Sequence, residues 1–334
     1  MKFKKYNNDT DRRESFTIKE YDKTRKYIFL EAMSVQGISN LVTGSFLAGY
    51  LKFMGASESL SAVLMQLPLI SCIAYLYAPL IYEKTKKRLR LMALFLFIYR
   101  LLLSCLSLPS ILFSEKSQKL VAFAIIIIMA YFFSYLGDGA WIEFLSNCVP
   151  AKLRGSFLPK RDALMIFTGT VVSLVMGGVL DLFRSKGLEN IGFYVIFGFV
   201  FAFTLFNGWT FTKMTQPPVI VSRRKISLKD VLTKPIMDKQ YRKYIIFFII
   251  YNISVYLSLS LYSIYPIVNL GLSYAYMATL TLIATVSRII SARFWHKLSE
   301  RLQWPIVLMI AVIILGFSFL LWSIVNIKNA YIIL

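Results

Sequence analysis

Apolar residues in this chain fall into long blocks separated by short polar, basic stretches. A folded shell facing water has no place for so many such blocks, whereas each is near the roughly 20 residues that one bilayer crossing needs. The pattern predicts nine membrane helices: Tyr27–Leu51, Ser59–Tyr82, Leu91–Leu112, Leu120–Ser146, Ala163–Phe183, Ile191–Phe211, Tyr244–Leu270, Tyr274–Arg293 and Pro305–Val325. Composition agrees, since only 16% of residues are charged where a soluble domain carries about 25%. The fold class expected is an all-α polytopic membrane protein. Met1–Lys26 is a polar, basic leader, and the first apolar run is too long for the core of a cleaved signal peptide.

The formal charge of +21 invites a nucleic-acid reading, but its distribution argues against one. The connections on the side of the N-terminus collect 30 Lys and Arg, against six on the other side. Such a bias is how orientation is read during insertion, so the N-terminus is expected in the cytoplasm of a multi-pass cell-membrane protein. The partners expected are the lipid bilayer and a small-molecule substrate, with no nucleic acid. Cys72, Cys105 and Cys148 have no metal or redox spacing, and His296 is the only histidine. No nucleophile–base pair, metal cluster or nucleotide-binding motif stands out, so neither an enzyme nor a primary pump is expected, and no cofactor.

Short matches recur at a nearly constant offset. Arg25-Lys26-Tyr27-Ile28 returns as Arg242-Lys243-Tyr244-Ile245, and Glu83-Lys84 as Glu300-Arg301, both 217 positions on. Gly55-Ala56-Ser57 returns as Gly271-Leu272-Ser273 after 216. The chain therefore reads as a duplicated unit: leader 1–26, six-helix half 27–211, linker 212–243 and a second half 244–334 with three helices. In the linker, Ser227 and Asp230 mark the start of a short amphipathic helix after Pro217-Pro218. The second copy is expected to be incomplete, lacking about three helices.

The stretch Pro79–Arg88, PLIYEKTKKR, and its counterpart His296–Pro305, HKLSERLQWP, carry a family resemblance. Together with the repeat they resemble the major facilitator superfamily, whose loop signature after the second helix is G-x-x-x-D-[RK]-x-G-[RK]-[RK]. Pro79 stands at the first glycine, Glu83 at the acid, Lys84 at the basic position, Lys86 at the second glycine, and Lys87 and Arg88 at the final basic pair. In the second copy Glu300 and Arg301 keep the acid and the base, while Trp304 and Pro305 replace the basic pair. The resemblance implies a major facilitator-type fold whose halves rock about a central site. It makes Glu83, Lys84, Lys87, Arg88, Glu300 and Arg301 candidate cytoplasmic gating loops, with the Glu300 loop expected to meet Lys160, Arg161 and Asp162. A basic loop that only sets topology is the alternative.

Ionisable groups at membrane depth are costly and so are functional candidates. Asp138 lies in the fourth predicted helix, with Tyr131, Ser134, Tyr135 and Trp141 near the same face. The resemblance makes that helix part of the cavity wall. Arg100 and Asp138 fall about 12–14 Å from the same ends of their predicted helices, so they are expected level with each other. Either they form a bridge between helices or Asp138 serves as a proton or substrate site. Gln36, Asn40 and Thr43, and likewise Asn252, Tyr256, Ser260 and Ser263, form polar stripes that line a cavity or join helices. Arg288 anchors an anionic solute or reaches toward the membrane surface. Glu31, Glu143 and Asp181 read as interfacial.

The function expected is that of a permease, carrying a small solute by alternating access with protons as the coupling ion. Asp138 is the main candidate for coupling or binding, and Arg100, Gln36, Asn40, Trp141, Asn252, Tyr256 and Arg288 are further candidates. The alternative is a shortened, non-transporting chain or a scaffold that acts with a partner.

Overall fold

The structure, a computed structural model, describes residues 21–217, 227–268 and 301–323, with short pieces between 283 and 299. All of its regular structure is helical, with no strand among the described residues. Two compact units divide between Leu232 and Thr233.

The first unit opens with a helix in two pieces, α1 (Asp22–Leu41) and α2 (Gly44–Phe53). One uninterrupted helix was expected over Tyr27–Leu51. The break has a local cause: Thr43 is extended, its hydroxyl donates to the Ser39 carbonyl at 2.7 Å, and Gly44 takes a φ of 56°. Such a left-handed φ favours glycine. Gly55, at φ 89°, then closes α2, with the Ala56 N–H donating to the Leu51 carbonyl at 2.9 Å. Ser57 starts the next helix by accepting from the Leu60 N–H at 3.3 Å. The landmark Gly55-Ala56-Ser57 is thus a stop followed by a start.

A helical run follows as α3 (Glu58–Gln66), a 3₁₀ stretch Leu67–Ile73 and α4 (Ala74–Glu83). Pro68 has no N–H to continue the α-helical ladder, and the chain tightens at that point. Next come α5 (Arg88–Ser104), a 3₁₀ turn Cys105–Ser107 and α6 (Leu108–Leu112), then α7 (Lys116–Cys148), α8 (Ala151–Ser185) and α9 (Glu189–Thr212). With 33 and 35 residues, α7 and α8 are each about 50 Å long, more than the roughly 30 Å of a hydrocarbon core. The α8 helix begins twelve residues before the expected Ala163, so Arg154 to Asp162 is helical rather than loop.

Among the described residues, five runs are long and apolar enough to cross a membrane: Ser59–Glu83, Arg88–Leu112, Lys116–Cys148, Leu153–Ser185 and Glu189–Thr212. Large apolar side chains such as Ile70, Leu112, Ile142, Phe167 and Leu174 point outward, as lipid-facing positions do. The architecture is that of an α-helical membrane protein.

Within this unit α9 packs against α1, α5 and α8, α1 also against α8, and α7 against α5, α4 and the 3₁₀ stretch. The approach of α8 to α1 depends on Gly169, where a Cβ would lie 2.7 Å from Gln36 Cγ and 2.8 Å from Asn40 Nδ2. The bundle buries two apolar clusters. One holds Ile38, Tyr50, Leu103, Ala130 and Val200, and the other Ile28, Leu96, Leu136 and Phe211.

In the stretch between the sixth and seventh predicted spans, a helix α10 covers Leu228–Met237. The second unit contains α11 (Lys239–Val268) and α12 (Trp304–Ser323). Asp238 starts α11, its Oδ1 accepting from the N–H groups of Gln240 and Tyr241 at 2.8 and 3.1 Å. Most of the eighth predicted span lies outside the described residues.

Candidate functional site

Four helices of the first unit carry polar side chains at the level where one apolar cluster gives way to the other. On α1, Glu31 and Ser34 lie between Ile28 and Ile38; on α5, Arg100 lies between Leu96 and Leu103. On α7, Ser134 lies between Ala130 and Leu136; on α9, Thr204 and Asn207 lie between Val200 and Phe211. All six polar side chains are buried. A polar layer therefore separates two dry ones.

Its centre is an ion pair. Arg100 Nη2 donates to Glu31 Oε1 at 3.1 Å, with only 5% and 2% of the two side chains exposed. Arg100 Nη1 donates to Asn207 Oδ1. Asn207 Nδ2 donates to Ser34 Oγ at 2.7 Å, and Ser34 Oγ donates to the Glu31 carbonyl at 2.8 Å. A second cation stands beside the same carboxylate, with Arg161 Nη2 3.6 Å from Glu31 Oε2. That distance is too long for a hydrogen bond, and Glu31 Oε2 and Arg161 Nε are both buried without one. The Arg161 guanidinium lies 5.9 Å from the Trp141 ring centroid, and that of Arg100 lies 5.6 Å from the Phe211 centroid.

Next to this layer is a cavity of about 310 Å³, bounded by α1, α5 and α7. Asp138, Ser134, Arg100, Tyr99, Tyr131 and Tyr135 supply its polar and aromatic wall. Asp138 is half-buried and its Oδ2 accepts from Ser134 Oγ at 3.1 Å. The rings form a chain, with centroids 5.3 Å apart for Tyr99–Tyr131, 6.2 Å for Tyr131–Tyr135 and 4.8 Å for Tyr75–Tyr135.

Arg100 and Asp138 both reach this cavity, and of the two readings of them the bridge between helices is not formed: the guanidinium is held by Glu31 and Asn207. Glu31 is also corrected, from interfacial to buried, because α1 starts at Asp22 and carries it more than two turns inside the helix. Arg161, read as part of a loop, lies on α8 and reaches Glu31. Trp141 packs on Phe144 and Phe211 and does not line the cavity. Gln36 donates to Asn40 at 2.8 Å and Asn40 to Ser173 at 3.0 Å, so this stripe joins α1 to α8. Glu31, Arg161 and Asn207 were not among the candidates, although the pairs Glu31/Ser34 and Thr204/Asn207, three residues apart in apolar runs, mark one helical face each.

Among the loop residues, Arg88 Nη1 binds Glu143 Oε1 at 2.7 Å. Gln216 braces the same loop, accepting from the Leu89 N–H at 3.1 Å and donating to the Lys86 carbonyl at 2.7 Å. Lys84 and Lys87 are exposed and Glu83 is half-buried. In the second unit Asn252 donates to the Phe248 carbonyl of its own helix at 2.6 Å, and Arg301 is exposed. Arg288, Glu300 and the side chain of Tyr256 lie outside the described residues.

Comparison with protein-family models, with curated proteins and with solved structures found no match.

Proposed function

We propose that this protein is a secondary transporter of the major facilitator type. It moves a small solute across the cell membrane by alternating access, coupled to protons, with its N-terminus in the cytoplasm. The observation that carries the reading is the 310 Å³ cavity, which places the half-buried Asp138 among tyrosines within an apolar-surfaced bundle. A carboxylate at such depth is costly to keep unless it serves a purpose. The 217-residue repeat and the loop Pro79–Arg88 support the family, and the 30 to six distribution of Lys and Arg supports the orientation.

The test is counterflow and gradient-driven uptake by the full chain in proteoliposomes, against sugars, nucleosides, amino acids, amines and anions. One solute class should exchange, and its uptake driven by a pH gradient should be lost in Asp138→Asn while insertion is retained. Unchanged uptake by that variant removes Asp138 from the mechanism. Exchange of no class overturns the transport reading.

A further inference from the structure

The cavity carries two charged side chains, and they are not equivalent. Arg100 has Nη2 on Glu31 and Nη1 on Asn207, so both ends of its fork are taken by groups outside the cavity wall. An anion entering the cavity would have to displace a buried carboxylate to gain that guanidinium. Asp138 is in the opposite position. The one hydrogen bond to its carboxylate among the described residues is from the neutral Ser134, and no ion pair involves it. Among the described residues, the cavity therefore presents one carboxylate with no ion-pair contact of its own, beside a guanidinium already held by Glu31.

The rest of the wall suits the same kind of guest. Tyr99, Tyr131 and Tyr135 line the cavity, and Tyr75 extends the ring chain by edge and tilted contacts. Aromatic faces attract a cation electrostatically, most strongly where water is excluded, and they exert no such pull on an anion. Val35, Ile38 and Leu96 add apolar surface that accepts alkyl groups, and Ser39 is the remaining polar residue of the wall. The volume of about 310 Å³ is at the small end of ligand pockets.

We propose that the cavity binds a small organic cation, an alkylated amine or quaternary ammonium ion, with Asp138 as counter-ion and Tyr99, Tyr131 and Tyr135 as its aromatic wall. This rests on the transport reading only in placing the site on a solute's path; the binding itself is independent of it. Arg100 is held back from the guest by Glu31 and Asn207, which leaves Asp138 as the charged group free to meet it.

The experiment is titration calorimetry on the purified full chain in detergent, with tetraethylammonium as probe and glucose and benzoate as neutral and anionic controls. Saturable binding of tetraethylammonium alone is expected, weakened at least about tenfold in Asp138→Asn, which corresponds to about 1.4 kcal/mol. Tyr131→Leu, which keeps the charge and removes one ring, should weaken it about threefold to tenfold and serves as the second variant if Asp138→Asn does not fold. Benzoate binding better than the ammonium ion, unchanged affinity in the variants, or no ammonium binding overturns the inference. The two readings fail separately. Counterflow of a sugar or an anion that tetraethylammonium does not compete with keeps the transport reading and removes this one. Ammonium binding that depends on Asp138, with no exchange of any solute, does the reverse.

Discussion

Glu31 and Arg100, 69 residues apart in the chain, meet at 3.1 Å with both side chains almost entirely withdrawn from the surface. Two further members of its layer support the pair: Asn207 accepts from Arg100 Nη1, and both Asn207 and Ser34 donate to the Glu31 carbonyl. Removing one member of such a buried pair leaves the other uncompensated, which costs about 3–5 kcal/mol, whereas replacing both with apolar groups of similar volume is often neutral. Glu31→Leu and Arg100→Met should each lower thermal stability in detergent sharply. The double variant Glu31→Leu/Arg100→Met should recover part of the loss, the remainder being the counter-charge that Arg161 still loses. The check is a double-mutant cycle by calorimetry, in which additive losses would contradict the pairing.

Arg88 and Glu143 form the contrasting case. Their 2.7 Å contact is shorter, but 49% of the Glu143 side chain is exposed. Exposed pairs contribute about 0–1 kcal/mol and are screened by salt. Glu143→Gln should shift the melting midpoint by no more than a few degrees. The shift should shrink further at high ionic strength, in a matched series of melts with and without salt.

Gly169 separates two helices that touch. Alanine there would bring Cβ to 2.7 Å from Gln36 Cγ and 2.8 Å from Asn40 Nδ2, whereas at Gly178 it meets nothing within 4 Å. Gly169→Ala should destabilise the protein by about 1–3 kcal/mol through overpacking. Gly178→Ala should be neutral or gain up to about 1 kcal/mol from helix propensity. Chemical denaturation of both variants checks the contrast.

Orientation is open to a direct test. In a background with Cys72, Cys105 and Cys148 replaced, an impermeant maleimide applied to intact cells should label the Lys116→Cys variant and spare Lys86→Cys. The reverse pattern would invert the assignment.

The apolar blocks made the spanning segments legible, because lipid demands long runs whose backbone bonds close internally. Five of the expected spans coincide with helices long and apolar enough to cross, with ends displaced by a few residues to more than two turns. The interruption at Val42-Thr43 was hidden inside an apolar run, since Thr43 and Gly44 break a helix by backbone conformation and not by polarity. Asp138 was legible as a charge deep in a run. The partner of Arg100 was not, because depth was counted from helix ends judged by hydropathy. Extension of α1 to Asp22 carries Glu31, assigned near an end, into the interior, and extension of α8 to Ala151 puts Arg161 on a helix from which it reaches Glu31. Level alone also cannot say which of two acids an arginine faces; α9, which packs on both α1 and α5 and brings Asn207 to Arg100, decides it.

The polar layer also has a bearing on biogenesis. A ribosome delivers Glu31 first, Arg100 69 residues later, and Asn207 a further 107 residues on. A lone arginine at the middle of a nascent transmembrane segment costs about 2.5–3.5 kcal/mol to insert. The earlier acid is therefore already waiting as a counter-ion when the base emerges, and the amide that completes the set arrives only with α9.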